Sequence, residues 1–237
     1  YVATGATFNL NGPNGSSGSG VLNVALGQSG TFNIAGTSTI SAVISGSGFG
    51  ITKTGVGTLT LSGNNTYTGT TTINGFTTGS TSPTLRVSHN NALGDTSSGT
   101  TVNGSVNPGL YGSQLQLANG ITVTGETLTL ASTSTDQRAS LMVSDASATA
   151  TWDGNIVLQA GASGTVNALV SNGTGSVLVV GASSADTITG TDVSLVVRGG
   201  SAGANIVNSA ISLGTGGLFK TDSGTWMLAH NANAYSG

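Results

Sequence analysis

Two stretches of this sequence match each other and indicate how the chain is built. Gly50 to Gly69 reads GITKTGVGTLTLSGNNTYTG, and Gly217 to Gly237 reads GLFKTDSGTWMLAHNANAYSG. An offset of 167 positions aligns Lys53 with Lys220, Gly57 with Gly224, Thr58 with Thr225, Leu61 with Leu228 and Asn64 with Asn231. After one inserted residue, Tyr67 aligns with Tyr235. Each copy is a strand, a Gly-rich corner and a second strand, so the chain contains an internal repeat.

Apolar and polar residues also alternate in short runs outside this repeat. The runs include VLNVAL at Val21–Leu26, TFNI at Thr31–Ile34, TLRV at Thr84–Val87, QLQL at Gln114–Leu117 and TLTL at Thr127–Leu130. A period of two predicts β-strands, and the Gly, Asn, Ser and Asp clusters between the runs predict corners. No window has the spacing of a helix. The chain is therefore predicted to be all-β.

Two all-β architectures compete, a sandwich and a solenoid. A sandwich core is about 10 Å thick and needs large side chains, but only 5% of these residues are aromatic. The narrow interior of a solenoid suits small apolar residues such as Val, Leu, Ile and Ala. The composition therefore favours the solenoid, in which each strand pairs with the equivalent strand one turn later. At about 20 to 30 residues per coil, the 237 residues form roughly eight to twelve coils.

The composition excludes several functions. Charged residues make up 5% of the chain and the net charge is −3, so no basic surface is available for nucleic acid. There is no cysteine, which excludes disulfides and thiolate sites. No apolar run approaches the roughly 18 residues of a membrane helix, so we expect no membrane contact by this segment.

The repeat resembles the passenger-associated transport repeat of bacterial autotransporters, also called the autotransporter-associated β-strand repeat. The resemblance rests on GVGTLTLSGNNTYTG at Gly55–Gly69, on TTING at Thr71–Gly75, on LRVSHNNALG at Leu85–Gly94 and on the second copy from Gly217. It covers about 40–94 and 207–237, or about a third of the chain. It departs from the family at Gly75–Pro83, an expected loop insertion at a corner. In the second copy, Trp226, Met227 and His230 replace the usual motif residues.

This resemblance implies a right-handed parallel β-helix in a secreted or surface-displayed passenger, located outside the cell or on the bacterial surface. Residues 1–237 would be a single β-helix segment of a longer passenger. In that fold Leu59 and Leu61 point inward and Thr58 and Thr60 outward. Asn and Thr side chains at the corners would bond to the same residue type one coil away. We expect the partners to be neighbouring coils of the same longer chain or copies meeting end to end, with a surface glycan or cell-surface ligand as a further possibility.

One pattern matches a hydrolase. Gly199–Gly203 fits G-x-S-x-G with Ser201 at its centre, and Asp222 and His230 follow in the order of a Ser, Asp, His triad. That motif requires a helix after the serine, whereas a strand and a Gly corner are predicted here. A solvated corner is the preferred interpretation.

Carbohydrate chemistry is the main alternative. Asp186, Asp192 and Arg198 are the nearest approach to a β-helical lyase site or a calcium site, and Trp152 and Trp226 are candidates for stacking on a sugar. The other charged neighbourhood contains Asp136, Arg138, Asp145 and Asp153, interpreted as corner residues with a surface ion pair. His89 and His230 lack the spacing of a zinc site. We predict no catalytic, cofactor or metal residues.

The sequence thus predicts a non-catalytic structural β-helix segment that serves as a stalk, filament element or adhesin. The alternative is a polysaccharide-binding or polysaccharide-cleaving β-helix.

Overall fold

The computed structural model describes residues 2–3, 7–10, 23–75, 82–104, 112–132, 139–160, 166–182 and 185–237. Every strand pair among them is parallel, and they form four sheets. This part of the chain contains no helix, and hence none long and apolar enough to cross a membrane. Most of the predicted insertion at Gly75–Pro83 lies outside the described residues, as do Asp136 and Arg138.

The strands assemble into sheets A to D. Sheet A contains β1 (Val2–Ala3), β3 (Val24–Leu26), β6 (Ile44–Gly46) and β9 (Thr66–Tyr67). Sheet B contains β2 (Thr7–Leu10), β4 (Gly30–Ile34), β7 (Ile51–Thr54), β10 (Thr71–Ile73), β12 (Thr100–Asn103), β15 (Leu128–Ser132), β18 (Ile156–Ala160), β21 (Thr187–Gly190), β24 (Ala210–Gly214) and β27 (Ala234–Tyr235).

Sheet C contains β5 (Thr37–Ile40), β8 (Thr58–Leu61), β11 (Thr84–Val87), β13 (Gln114–Leu117), β16 (Ser140–Val143), β19 (Val166–Ser171), β22 (Ser194–Arg198) and β25 (Leu218–Lys220). Sheet D contains β14 (Thr122–Thr124), β17 (Thr149–Asp153), β20 (Val177–Val180), β23 (Asn205–Val207) and β26 (Trp226–Leu228).

The chain winds through these sheets as a three-sided parallel β-helix. Early coils run from sheet A to B to C, and each strand pairs with its equivalent one coil later. Residues 88–99 contain no strand, and from β14 onward sheet D lies between C and B where sheet A lay before. The ten strands of sheet B agree with the predicted eight to twelve coils. Coils vary from 20 residues between the register partners Thr52 and Thr72 to 32 between Val157 and Thr189.

Inward side chains form aliphatic columns along the helix. In sheet C the column consists of Leu59, Leu85, Leu115, Leu141, Leu169 and Val197, all buried. Leu61 is also buried, whereas Thr58 and Thr60 lie half-exposed on the outer side. The predicted alternation of this strand is therefore confirmed.

Like residues also bond across coils, as the repeat predicted. The Asn91 amide donates to Asn64 Oδ1 at 2.9 Å, and the Asn103 amide donates to Asn74 Oδ1 at 2.9 Å. These bonds join residues 27 and 29 positions apart in sequence, at corners or strand ends, so they hold one coil to the next.

Candidate functional site

The hydrolase-like residues do not form a triad. Ser201 is buried, and its hydroxyl donates to the Ser176 carbonyl at 2.6 Å and accepts from the Gly203 amide at 3.1 Å. The Asp222 carboxylate accepts from Arg198 Nε at 3.2 Å and from the Gly199 amide. His230 Nδ1 accepts from the backbone of its own turn, at Ala232. Each residue thus has a structural contact in place of a triad contact.

The carboxylates proposed for lyase or calcium chemistry are also separated. Asp186 and Asp192 lie beyond opposite ends of β21, and Arg198 pairs with Asp222. Asp192 accepts from both the hydroxyl (2.6 Å) and the backbone amide (3.1 Å) of Thr215 in the next coil, and these two bonds lower its pKa. Among the residues that the structure describes, no three His, Asp or Glu side chains group as metal ligands do.

The tryptophans offer little surface for a sugar. Trp152 is completely buried. Trp226 is half-buried, and its indole N–H donates to the Arg198 carbonyl at 3.2 Å. Asp145 pairs with Arg86, which binds both carboxylate oxygens. Arg138, the cation of the predicted charged neighbourhood, lies outside the described residues.

A buried lysine marks the first corner of the repeat. Lys53 points inward from β7, in the sheet B column between its register partners Phe32 and Ile73. Its ammonium donates to the carbonyls of Gly55, at 2.6 Å, and Gly57. Burial lowers the pKa of Lys53 to about 7. The Lys53 side chain therefore holds the corner in place from inside the helix. Its ammonium group loses hydration in that position.

The repeat asparagine has the same role in both copies. Asn65 is buried, and its Oδ1 accepts from the Ile44 backbone amide one coil earlier at 2.8 Å. Asn233 Oδ1 accepts from the Ile211 amide at 3.0 Å. The sequence comparison aligned Asn64 with Asn231, but these contacts identify Asn65 and Asn233 as the equivalent pair. An inserted residue in the second copy concealed this equivalence.

The two copies lie on different faces of the helix. The first runs through β7 in sheet B, β8 in sheet C and β9 in sheet A. The second runs through β25 in sheet C, β26 in sheet D and β27 in sheet B. Because sheet D holds the place that sheet A holds earlier, the second copy is advanced by one face.

Two neighbouring groups of buried polar side chains lie inside the helix near residues 88–99. Tyr67 Oη and Thr71 Oγ1 are 2.5 Å apart, and Thr71 also donates to the Leu93 carbonyl. In the next coil Thr100, the register partner of Thr71, donates to Glu126 Oε1 at 2.8 Å.

Burial is the dominant influence on the titration of this cluster. Desolvation raises the pKa of Glu126 to about 7, opposed by the Thr100 hydrogen bond and assisted by the negative charge of Asp95. Burial likewise raises the pKa of Tyr67, opposed by its bond to Thr71 and assisted by Glu126. The Glu126 carboxyl therefore titrates close to neutral pH, because burial disfavours its charged form.

Sequence reasoning did not identify Glu126 or Lys53 as interior residues, although the period-two alternation places both side chains on the inward side. Glu126 precedes Leu128 and Leu130 at alternate positions, all three buried. Lys53 likewise follows buried Ile51 by two.

A known repeat family matches both copies. The model of the passenger-associated-transport-repeat matches residues 51–75 and 218–237. No curated protein and no solved structure matches the chain. The chain therefore carries two passenger-associated transport repeats, as predicted, and this implies a secreted or cell-surface protein.

Replacing the repeat asparagine tests its structural role. In Asn65→Ala, the Ile44 amide and the Ala92 carbonyl lose their side-chain partners inside the protein. We expect a loss of about 2 to 4 kcal/mol in the free energy of unfolding, measured by urea denaturation. The control Asn64→Ala removes an exposed partner of Asn91 and should cost less than about 1 kcal/mol. Equal losses in the two variants would contradict the assignment.

Glu126 should make stability depend on pH. Its pKa rises from 4.5 in the unfolded chain to about 7 when folded, so the folded state binds the proton more tightly. Its contribution is fully present below about pH 4.5 and is lost as pH rises to about 7, by roughly 3 kcal/mol at most. Glu126→Gln should remove this loss.

Urea denaturation of wild type and Glu126→Gln at a series of pH values measures the effect. Other carboxyls cancel in the difference between the two proteins, and the lowered pKa of Lys53 acts above pH 7. Parallel stability profiles from pH 4.5 to 7 would show that Glu126 is not desolvated.

Proposed function

We propose that this chain is a structural, non-catalytic segment in the β-helical shaft of an autotransporter-like surface protein, where it serves as a stalk, filament element or adhesin. The main support is the parallel pairing of the ten strands of sheet B, which shifts register only between Ser212 and Gly214 at its last pair. Such a sheet makes an elongated object in which each coil contacts only its neighbours. This geometry suits spanning a distance and presenting a surface.

The contacts of the candidate catalytic groups support a structural role. Ser201, Asp192 and Asp222 all use their side chains to hold one coil to the next or to fix a corner. The contacts of these three side chains favour a role in holding coils together over a role in catalysis. The polysaccharide alternative gains no support from Trp152, which is buried.

The outer surface of sheet B is suited to display. Thr31, Thr52, Thr72, Thr101 and Thr129 are successive register partners and form a half-exposed outward column. Lys53 is the only charged residue in the strands of this sheet, and it points inward. The face is therefore uncharged and carries hydroxyl and methyl groups at the strand spacing of about 4.8 Å.

The coil containing β25, β26 and β27 is the proposed contact for neighbouring coils. It holds the four large hydrophobic side chains that are exposed in the described residues, Phe219 (50%), Met227 (52%), Leu228 (37%) and Tyr235 (39%). Lys220 occupies the inward column above Val197 and is also exposed. Another β-helical coil, from the same longer chain or from a second copy, would cover these groups.

The stacking proposal predicts self-association through this coil. We expect the purified chain to form dimers or larger species as its concentration rises, and Phe219→Ser with Met227→Ser to remain monomeric, because the apolar contact is lost. Light scattering coupled to size-exclusion chromatography measures both. Thr60→Ser on sheet C is the matched control and should associate like wild type. A chain that stays monomeric at every concentration would contradict the proposal.

A shaft should tolerate the removal of one whole turn. Leu128 and Ile156 are register partners, so deletion of residues 128–155 removes one coil of 28 residues and keeps every face aligned. In a tagged passenger on intact cells, we expect antibody labelling close to that of the full chain. Deletion of 128–141 removes about half a turn, misaligns the faces and should abolish labelling. Equal loss in both deletions would contradict a modular shaft.

A further inference from the structure

Asparagine followed by glycine is the dipeptide most open to self-modification. The backbone nitrogen of the glycine attacks Cγ of the asparagine side chain, and the small glycine hinders this attack least. The described residues contain four such pairs, at Asn74–Gly75, Asn103–Gly104, Asn119–Gly120 and Asn172–Gly173. The local contacts of each pair determine whether its two reacting groups are free.

Three of the four pairs are held by hydrogen bonds. Asn103 donates to Asn74, which occupies both side chains. The attacking nitrogen of Gly104 also donates to the Ala131 carbonyl at 2.7 Å. Asn119 Oδ1 accepts from the Thr149 amide at 3.0 Å, and the nitrogen of Gly120 donates to the Thr149 carbonyl at 2.8 Å.

The pair Asn172–Gly173 differs from the others. Asn172 is exposed at the corner between β19 and β20. Within the described part of the chain, no hydrogen bond engages its side chain or the backbone nitrogen of Gly173. The corner itself is fixed, since the Asn172 amide donates to Val143 and the Ser176 amide donates to the Gly173 carbonyl. Both reacting groups are therefore free within a defined turn.

We infer that Asn172–Gly173 is a site of spontaneous deamidation in the folded protein. The Gly173 nitrogen bonds to Asn172 Cγ, loses its proton and expels the amide nitrogen as ammonia, which leaves a cyclic succinimide. Water then opens either C–N bond of the ring. The products are aspartate or isoaspartate at position 172, and the reaction needs only water.

The modification would alter how two coils stack. The Asn172 amide binds the Val143 carbonyl in the preceding coil, which places this corner over the one that contains Asp145. Contact is so close there that a Cβ on Gly173 would lie 2.1 Å from the Asp145 carbonyl oxygen. Isoaspartate adds a carbon to the backbone at this point, and both products add a carboxylate near the Arg86–Asp145 pair. We expect modified molecules to be less stable.

The test follows deamidation of the intact chain during incubation in mildly alkaline buffer. After unfolding, trypsin cuts at Arg86, Arg138 and Arg198, so residues 87–138 carry Asn103 and Asn119 whereas 139–198 carry Asn172. Mass spectrometry then measures conversion at each site. We expect Asn172 to convert at least about tenfold faster than Asn103 or Asn119, because two hydrogen bonds protect each of those.

Controls separate local structure from intrinsic reactivity. Incubation in concentrated urea should bring the three rates together, and Asn172→Gln should abolish conversion in peptide 139–198. Asn172→Asp carries the new charge on a normal backbone, so greater instability in aged wild type than in this variant would identify the isoaspartate. If folded Asn172 converts no faster than Asn103 and Asn119, the inference is wrong.

Discussion

Parallel stacking of each coil on the previous one is the constraint from which the other features follow. A strand of this helix has no partner within its own coil, so its backbone groups are satisfied only by the coils on either side. The aliphatic columns depend on the same register, as the run from Leu59 to Leu169 in sheet C shows. Extra residues enter mainly at corners, so coil length varies while strand register is kept, apart from one shift between Ser212 and Gly214.

This constraint explains how one repeat can occupy two different faces. All three faces present the same surface to the next coil, an inward row of apolar side chains between two corners. The repeat adds a way to fix those corners, through an inward lysine and through an asparagine that reaches the preceding coil. Asn65 accepts a hydrogen bond from the Ile44 amide in sheet A, and Asn233 accepts one from the Ile211 amide in sheet B. The repeat thus specifies a corner and its stacking contact, and any of the three faces can accept it.

Alternation and repetition predicted the fold because both follow from backbone geometry. A period of two places Leu59 and Leu61 on the same, inward face of their strand. The scarcity of large apolar side chains favours a narrow core. Lys53 and Glu126 were missed because charged residues are expected at the surface. Their positions in the alternating pattern nevertheless matched those of the buried residues beside them. The change from sheet A to sheet D was also missed, since HNNALGD at His89–Asp95 has the composition of an ordinary corner. Only the neighbouring coils show that a strand is absent there.

The missing strand also explains one group of polar side chains in the interior. Where residues 88–99 replace a strand, the Leu93 carbonyl faces inward and requires a donor, which Thr71 supplies. Thr71 also contacts Tyr67. Thr100, the register partner of Thr71 in the next coil, requires an acceptor for its hydroxyl, and Glu126 supplies it. A break in one sheet thereby recruits polar side chains from three successive coils. Because one of these side chains is a carboxyl group held away from water, the interruption of regular structure adds a second group, besides Lys53, whose pKa burial brings to about 7.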